Sequence, residues 1–444
     1  MCSSDLQAGQ LNERESMVRH LCLVAAMWLL TCPTGRAAAL EPSVESAADS
    51  VKVAATDWPW WRGPNRNGIA ASDQRPPLKW NDSQNVRWAV PVAGRGHGSP
   101  TVVGNQVFLA TADKESGVQS VVCYDRQTGR ELWNRVVHRG GLATKGNGKA
   151  SQASSTVACD GRRVFINFVN NGAVYTTALS RAGKQLWQTK ISDYVIHQGY
   201  GSSPAVYGSL LIVTADNKGG GAVAALERAT GKIVWKLVRP KTPNYSSPIV
   251  LRVGGRDQLL LTGCDLVSAF DPSSGNKLWE IEGATTECVT STVTDGNLII
   301  TSGGYPRNHM SAIRADGSGE VVWQNKVRVY VPSVLISEGY LYAVTDAGVA
   351  MCFKADDGRE IWKNRLGGGF TASPVLVGKN IFATNEGGKT FIFKAQPSKF
   401  ELVSENQLGD EVFATPTICG SRVYMRIAKR QDDKRQEMLY CLEK

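Results

Sequence analysis

One phrase recurs along this chain: a Ser/Thr-Pro start, an alternating apolar run, a turn ending in Gly, and a Trp. Its closing half runs from Tyr124 through Gly129 to Trp133, Leu179 through Gly183 to Trp187, Leu226 through Gly231 to Trp235, and Phe270 through Gly275 to Trp279. It returns from Ile313 through Gly319 to Trp323, from Phe353 through Gly358 to Trp362, and in degenerate form from Phe393 to Leu402. The opening half stands at Ser99-Pro100, Ser155-Thr156, Ser203-Pro204, Ser247-Pro248, Ser291-Thr292, Ser333-Val334, Ser373-Pro374 and Thr415-Pro416. Self-similarity at roughly 40 to 50 residues means a propeller or solenoid, whatever the local propensities.

Within each unit the hydrophobic period is two, as in Leu210-Leu211-Ile212-Val213, and β-branched residues are frequent, so the units are strands. Short Gly/Asn/Asp turns join them, with Gly free to take positive φ. Four strands make a blade, and the recurrent Trp at the end of the fourth is expected to wedge between neighbouring blades at Trp88, Trp133, Trp187, Trp235, Trp279, Trp323 and Trp362. The last opening, at Thr415, runs out at Leu442 without a fourth strand, and the segment Asn85 to Val90 supplies one. The expectation is therefore an all-β, eight-bladed propeller of four-stranded antiparallel blades, closed by the N-terminal strand, which removes exposed sheet edges. A count of seven would leave Trp88 unrelated to the repeat.

Ahead of the repeats, Met17 to His20 form a short basic region, Leu21 to Leu30 an apolar run, and Ala37-Ala38-Ala39 a cleavage site, so residues 1–39 read as an over-extended start plus a secretory signal. Export to the periplasm or outside the cell is expected, in preference to lipid anchoring at Cys32, which Thr31 and Pro33 flank poorly for a lipidation box. Once the signal is removed no transmembrane segment is expected. Residues 40–57 have the composition of a flexible spacer, 58–84 form a Trp-rich strap, and 85–444 are the propeller. The cluster Trp58-Pro59-Trp60-Trp61 is too apolar for water and is expected to pack on the propeller.

Cys123, Cys352 and Cys441 share a repeat position occupied elsewhere by Ala178, Ala225, Ala269 and Ala312, which argues for small buried residues. Cys159, Cys264, Cys288 and Cys419 share no register, and no cysteine spacing fits zinc or covalent haem. Net charge is +10. Arg426, Lys429, Arg430, Lys434 and Arg435 crowd what reads as a solvated loop before the last strand, and no aromatics interleave them, so specific nucleic-acid binding is not expected.

The stretches Ala225 to Trp235 and Ala269 to Trp279 resemble the pyrroloquinoline quinone (PQQ) repeat, and the resemblance covers most of the chain after residue 85. It implies the eight-bladed quinoprotein-dehydrogenase-like propeller, found both in true PQQ dehydrogenases and in non-catalytic relatives such as the propeller lipoprotein of outer-membrane barrel assembly. The segment Trp58 to Gly68 looks like the leader of exported propellers of this kind. In the dehydrogenases the quinone lies between a Trp and a vicinal disulfide, with calcium and an Asp base. This chain has no Cys-Cys pair. The resemblance thus implies a non-catalytic binding or scaffolding module, without cofactor, for a protein or envelope component and acting as a monomer. The alternative is a PQQ- and calcium-dependent alcohol or sugar dehydrogenase, and a carbohydrate-associated accessory role is a third.

In a propeller the loops entering each first strand gather at one end of the channel, where ligands bind. These positions are His97, Gln152, Tyr200, Tyr245, Glu287, Tyr330, Phe370 and Phe413. Loops between second and third strands add Asp216, Asp265, Asp346 and Glu386, acids suited to calcium or to general-base work and equally ordinary in turns. His197, Gln198 and the segment Lys145-Gly146-Asn147 offer further polar contacts, and no Ser/His/Asp spacing supports a nucleophilic triad.

Overall fold

Alternating apolar residues and turn glycines fold the chain into strands alone; the computed structural model describes residues 51–432 and 434–444, and among these there is no helix. The expectations for the start, the signal, Cys32 and the first part of the spacer fall outside the described residues. No helix among those described is long and apolar enough to cross a membrane.

Eight four-stranded antiparallel sheets follow one another. Blade 1 comprises Thr101–Val103, Gln106–Asp113, Val118–Asp125 and Glu131–Arg139. Blades 2 to 7 repeat this order over residues 158–193, 205–239, 249–282, 293–325, 335–365 and 375–407. Blade 8 joins Thr417–Cys419, Arg422–Gln431 and Lys434–Leu442 to Val86–Val92, whose Ala89 pairs with Tyr440. The N-terminal strand thus closes the ring, and the first strands of blades 1 and 8 touch. In blade 1 the second and third strands are buried nearly throughout, while the fourth is exposed or half-buried along its length and forms the rim.

The repeated Trp and the repeated Gly are two halves of one contact. Trp133 donates its indole N–H to Arg181 O in the turn of blade 2 (2.9 Å), and a Cβ on Gly183 in that turn would lie 2.8 Å from the indole. The same arrangement joins Trp187 to Arg228 O and Gly231, Trp235 to Pro272 O and Gly275, and Trp323 to Ala355 O and Gly358. Trp88 of blade 8 closes the circle on Arg126 O and Gly129, and Trp362 donates to Gln396 O. Trp279 departs from the pattern: it donates to Gln258 Oε1 in its own blade, and Ile281 takes the place over Gly319.

Two expectations are corrected. The end of the stretch read as a flexible spacer is docked, since Lys52 donates to Asp160 O (2.9 Å) and Asp57 is buried, accepting from Ala54 N. Val51 and Val53 pack on the cores of blades 1 to 3, which repays the ordering of the segment. The basic residues read as a loop form the long hairpin of blade 8 instead. Arg426 is buried against Glu437, Arg435 pairs with Glu411 and Glu437, and Lys429 reaches Asp82. Glu437 of the same hairpin, with Glu411 and Asp82 brought from other elements, pairs with Arg426, Lys429, Arg430 and Arg435.

All seven cysteines among the described residues are buried and free. Burial pushes the Cys123, Cys352 and Cys441 thiols up to about 12, so they act as small apolar groups.

Candidate functional site at the axial channel

The opening Ser/Thr residues form a clasp around the axis. Six of the eight backbone N–H groups donate to the hydroxyl of the next blade: Ser99 to Thr156 (3.0 Å), Thr156 to Ser203 (2.9 Å) and Ser203 to Ser247 (2.9 Å). Ser291 donates to Ser333, Ser333 to Ser373 and Ser373 to Thr415, each at 2.9 Å. Where blades converge there is no room for strand pairing, so a short hydroxyl side chain meets the N–H that would otherwise be orphaned.

On one side of this belt the strap crosses the channel end. Trp58 exchanges two backbone hydrogen bonds with Val102 of blade 1, and Pro59 O accepts from Cys159 N of blade 2. Arg66 stacks over Trp60 (4.6 Å) and donates to Val206 O of blade 3, while Trp61 Nε1 donates to Ser291 Oγ beside blade 5 (2.8 Å). Arg62 donates to Val334 O (2.5 Å), Pro374 O (3.5 Å) and Asn67 O (2.9 Å), between blades 6 and 7. Gly68 has φ +78°, and a Cβ there would fall 2.7 Å from the Arg62 guanidinium carbon, so only glycine lets the strap fold back on its own arginine. Burial lowers Arg62 to about 9 and Arg66 to about 10.

On the other side lie the eight mouth positions, which the structure divides. Tyr245, Glu287 and Tyr330 meet in one group: Tyr330 Oη donates to Glu287 Oε2 (3.2 Å), and His197 Nε2 lies 3.3 Å from Glu287 Oε1. Gln198 N donates to Tyr245 Oη (3.3 Å). His97 and Phe413 pack with their rings tilted by 33° and centroids 4.5 Å apart, on the opposite part of the ring. Phe370 is buried against Phe391, Tyr200 donates to Thr214 O, and the Gln152 amide is pinned to both backbone groups of Ala143, so these three brace their surroundings. Burial raises the Tyr200, Tyr245 and Tyr330 phenols above their ordinary range and lowers His97 well below its own.

Two connections of the chain itself cross this end. The one between blades 1 and 2 sends Asn147 N and Nδ2 to Gln198 O and Oε1 (2.8 and 3.1 Å), and Lys149 Nζ to Glu386 Oε2 of blade 7 (2.7 Å). The one between blades 2 and 3 carries His197 and Gln198 to the Glu287 and Tyr245 group. Lys149 carried no signal of its own in the sequence; its reach depends on the length of its loop, which the repeat does not encode.

The four acids are fasteners for neighbouring loops. Asp216 is buried between Arg239 (3.3 Å) and Asn244 (3.1 Å), and Asp265 accepts from Thr286. Asp346 accepts the N–H groups of Tyr330 and Val331, and burial raises its carboxyl, while Glu386 binds Thr371 and Lys149. Among the described residues no three His, Cys, Asp or Glu side chains converge as a metal would require. Calcium takes six to eight oxygens, and these four carboxylates are dispersed over separate blades and already engaged, so they do not converge on one calcium ion.

Comparisons with known proteins agree with this architecture. A family model described as outer membrane protein assembly factor BamB matches residues 67–193, 117–364 and 307–396. BamB of Burkholderia pseudomallei is 24% identical over 371 residues, 70% of this chain and 88% of that protein. Polyvinylalcohol dehydrogenase of Sphingopyxis sp. is 27% identical over 234 residues, 48% of this chain. The chain spans about a third of the length of the polyvinylalcohol dehydrogenases it matches, 33% and 32%. Among solved structures, a europium-containing methanol dehydrogenase superposes with a TM-score of 0.65 at 12% identity, covering 88% of this chain and 98% of that one, a likeness of fold.

Proposed function

This chain belongs to the PQQ-like repeat propeller family described as outer membrane protein assembly factor BamB, and from that premise we propose that it is an exported, non-catalytic propeller that binds or scaffolds a protein or other envelope component at its channel face. One observation carries the reading: the channel mouth is crossed by the chain's own connections, tied by the Lys149–Glu386, His197–Glu287 and Gln198–Tyr245 contacts. A quinone-dependent propeller enzyme needs an open site holding its cofactor against the substrate, whereas here Lys149, Glu386, His197, Glu287, Gln198 and Tyr245 at the mouth are engaged in holding loops. What remains outward is a loop-rich surface on a rigid ring, which suits recognition. The role described for the BamB relatives, assembly at the outer membrane, falls within this reading, as does a periplasmic or secreted location.

The dehydrogenase relatives favour a second reading, a PQQ- and calcium-dependent alcohol or sugar dehydrogenase. The dispersed, engaged carboxylates weigh against it. Titrating the purified full chain with PQQ and calcium separates the two. The proposed role predicts no quinone absorbance shift and no dye reduction with alcohols or sugars; a saturable shift accompanied by turnover overturns it.

A further inference from the structure

Beyond Gly68 the strap continues to blades 7 and 8. Ala70 N donates to Leu376 O (2.8 Å), and further on the strap is buttoned to the turn between the first two strands of blade 8, where Arg75 N donates to Ser421 Oγ (2.8 Å) and Ser421 N donates to Gln74 Oε1 (3.1 Å). The corresponding turn of blade 7 holds Gly378 and Lys379. Between that turn and the strap lies a cavity of about 290 Å³, lined by Gln74, Arg75 and Leu78 on one side and by Val377, Lys379 and Asn380 on the other. At about 30 Å³ for each water it has the volume of roughly ten, room for a small organic ligand.

The unengaged side-chain groups of these residues are all donors. Gln74 is 5% exposed; its carbonyl oxygen is taken by Ser421, while its amide N–H₂ has no protein partner and, unlike the orphaned polar atoms sealed inside this chain, is not shut off from solvent. Asn380 repeats the arrangement from the other side, since Lys394 Nζ takes its Oδ1 (3.1 Å) and leaves its N–H₂ unused. Arg75 is held at Nη1 by Ser72 O (2.7 Å) and Gln74 O (2.9 Å), with Nε and Nη2 unengaged. Lys379 has no hydrogen-bond or ion-pair partner for its ammonium among the described residues, and no Asp or Glu lines the cavity. Lys444 also borders it, carrying a carboxylate with its ammonium, and adds no net charge.

We propose that this cavity binds an organic phosphate monoester, with the phosphate oxygens on Gln74 Nε2, Asn380 Nδ2, Arg75 and Lys379 and the carbon body against Leu78 and Val377. Two amides whose oxygens are spent on the protein present only N–H groups, and with two cations and no opposing acid they select an anion. Donors arriving from the strap and from the blade 7 turn suit the three terminal oxygens of a tetrahedral phosphate better than the two coplanar oxygens of a carboxylate. Gln74 is already fixed through its oxygen, so little freedom is lost when its N–H₂ is engaged. The cavity lies at the turns joining first and second strands, the opposite end of the blades from the channel mouth, and it stands or falls independently of the docking role.

Calorimetric titration of the full chain with glycerol 3-phosphate, glycerate and glycerol tests the site. Glycerol 3-phosphate is expected to bind saturably, with glycerate and glycerol each at least about ten-fold weaker. Gln74→Glu keeps the acceptor that Ser421 uses and sets an anion where the free donor stood, and Asn380→Asp does the same beside Lys394; each should weaken binding at least about ten-fold while the thermal midpoint holds. Lys218→Ala removes an exposed lysine between the second and third strands of blade 3 and should leave the affinity unchanged. Sedimentation with phosphatidic acid vesicles identifies the source of the monoester: pelleting abolished by Gln74→Glu places it on a lipid, and pelleting that is absent or survives the substitution places it on a soluble molecule. Absence of saturable glycerol 3-phosphate binding, equal affinity for glycerate, affinity unchanged in Gln74→Glu and Asn380→Asp, or an equal loss in Lys218→Ala overturns the proposal.

Discussion

Replacing Gly231 by Ala isolates the contact on which the blade ring depends. Gly231 has φ +76°, and a Cβ there would lie 2.5 Å from Trp187 Cδ2 and Cε3 and 2.8 Å from Thr189 Oγ1. The left-handed backbone alone costs an alanine about 1–2 kcal/mol, and forcing a methyl into a filled interface adds about 1–3 kcal/mol. Gly255 is the control: its φ is +77°, and nothing lies within 4 Å of the added methyl, so Gly255→Ala carries the backbone cost alone. In a Trp187→Ala background the steric part of Gly231→Ala should vanish, giving a coupling of about 1–3 kcal/mol between the two positions. Denaturant midpoints at constant slope measure all four members of the cycle. Equal costs for Gly231→Ala and Gly255→Ala, or additivity of Gly231→Ala with Trp187→Ala, would refute the view that indole and glycine are one contact.

Three further outcomes are expected. Burial lowers His138 to about 4 and holds His97 well below its ordinary value of 6.5, with Arg95, Arg426 and Arg435 adding to the His97 effect. The unfolded chain then takes up protons that the folded ring refuses, so stability should fall as pH drops from about 6.5 toward 4, and His138→Phe should flatten that slope in pH-dependent denaturation. Glu437→Gln should cost about 3–5 kcal/mol by leaving the buried Arg426 charge uncompensated, whereas the paired replacement Arg426→Met/Glu437→Leu should cost much less, as thermal denaturation will show. Arg62→Ala removes a cation bonded to three carbonyls and should cost about 2 kcal/mol or more; limited proteolysis should then cut between Trp58 and Gly68, a segment expected to resist cleavage in the unaltered chain.

The ring was legible because its defining contact is written many times. Gly231 and Trp187 lie in different blades, yet each recurs at a fixed spacing, so the pairing of a repeated indole with a repeated turn glycine survives as periodicity. The closing strand was legible through Trp88, which carries the same Trp ahead of the first opening. The strap was only half legible: Trp58 to Trp61 announce burial, but Arg62, Arg66 and Gly68 occur once, and nothing local says that their partners are carbonyls of blades 3, 6 and 7. The basic hairpin was misread because Glu437 meets Arg426 only once the two strands pair, and Glu411 and Asp82 reach Arg435 and Lys429 from distant parts of the chain by packing.

The central claim is that the chain's own connections occupy the channel mouth where a ring-bound cofactor would need space. Hydrogen exchange of the full chain, recorded with and without PQQ and calcium, addresses it directly at the amides of Asn147, which donates to Gln198 O, and of Gln198, which donates to Tyr245 Oη. Slow exchange at both, unchanged by the additions, is the expected result. Fast exchange there in the free protein, with strong protection gained when PQQ and calcium are added, would contradict it.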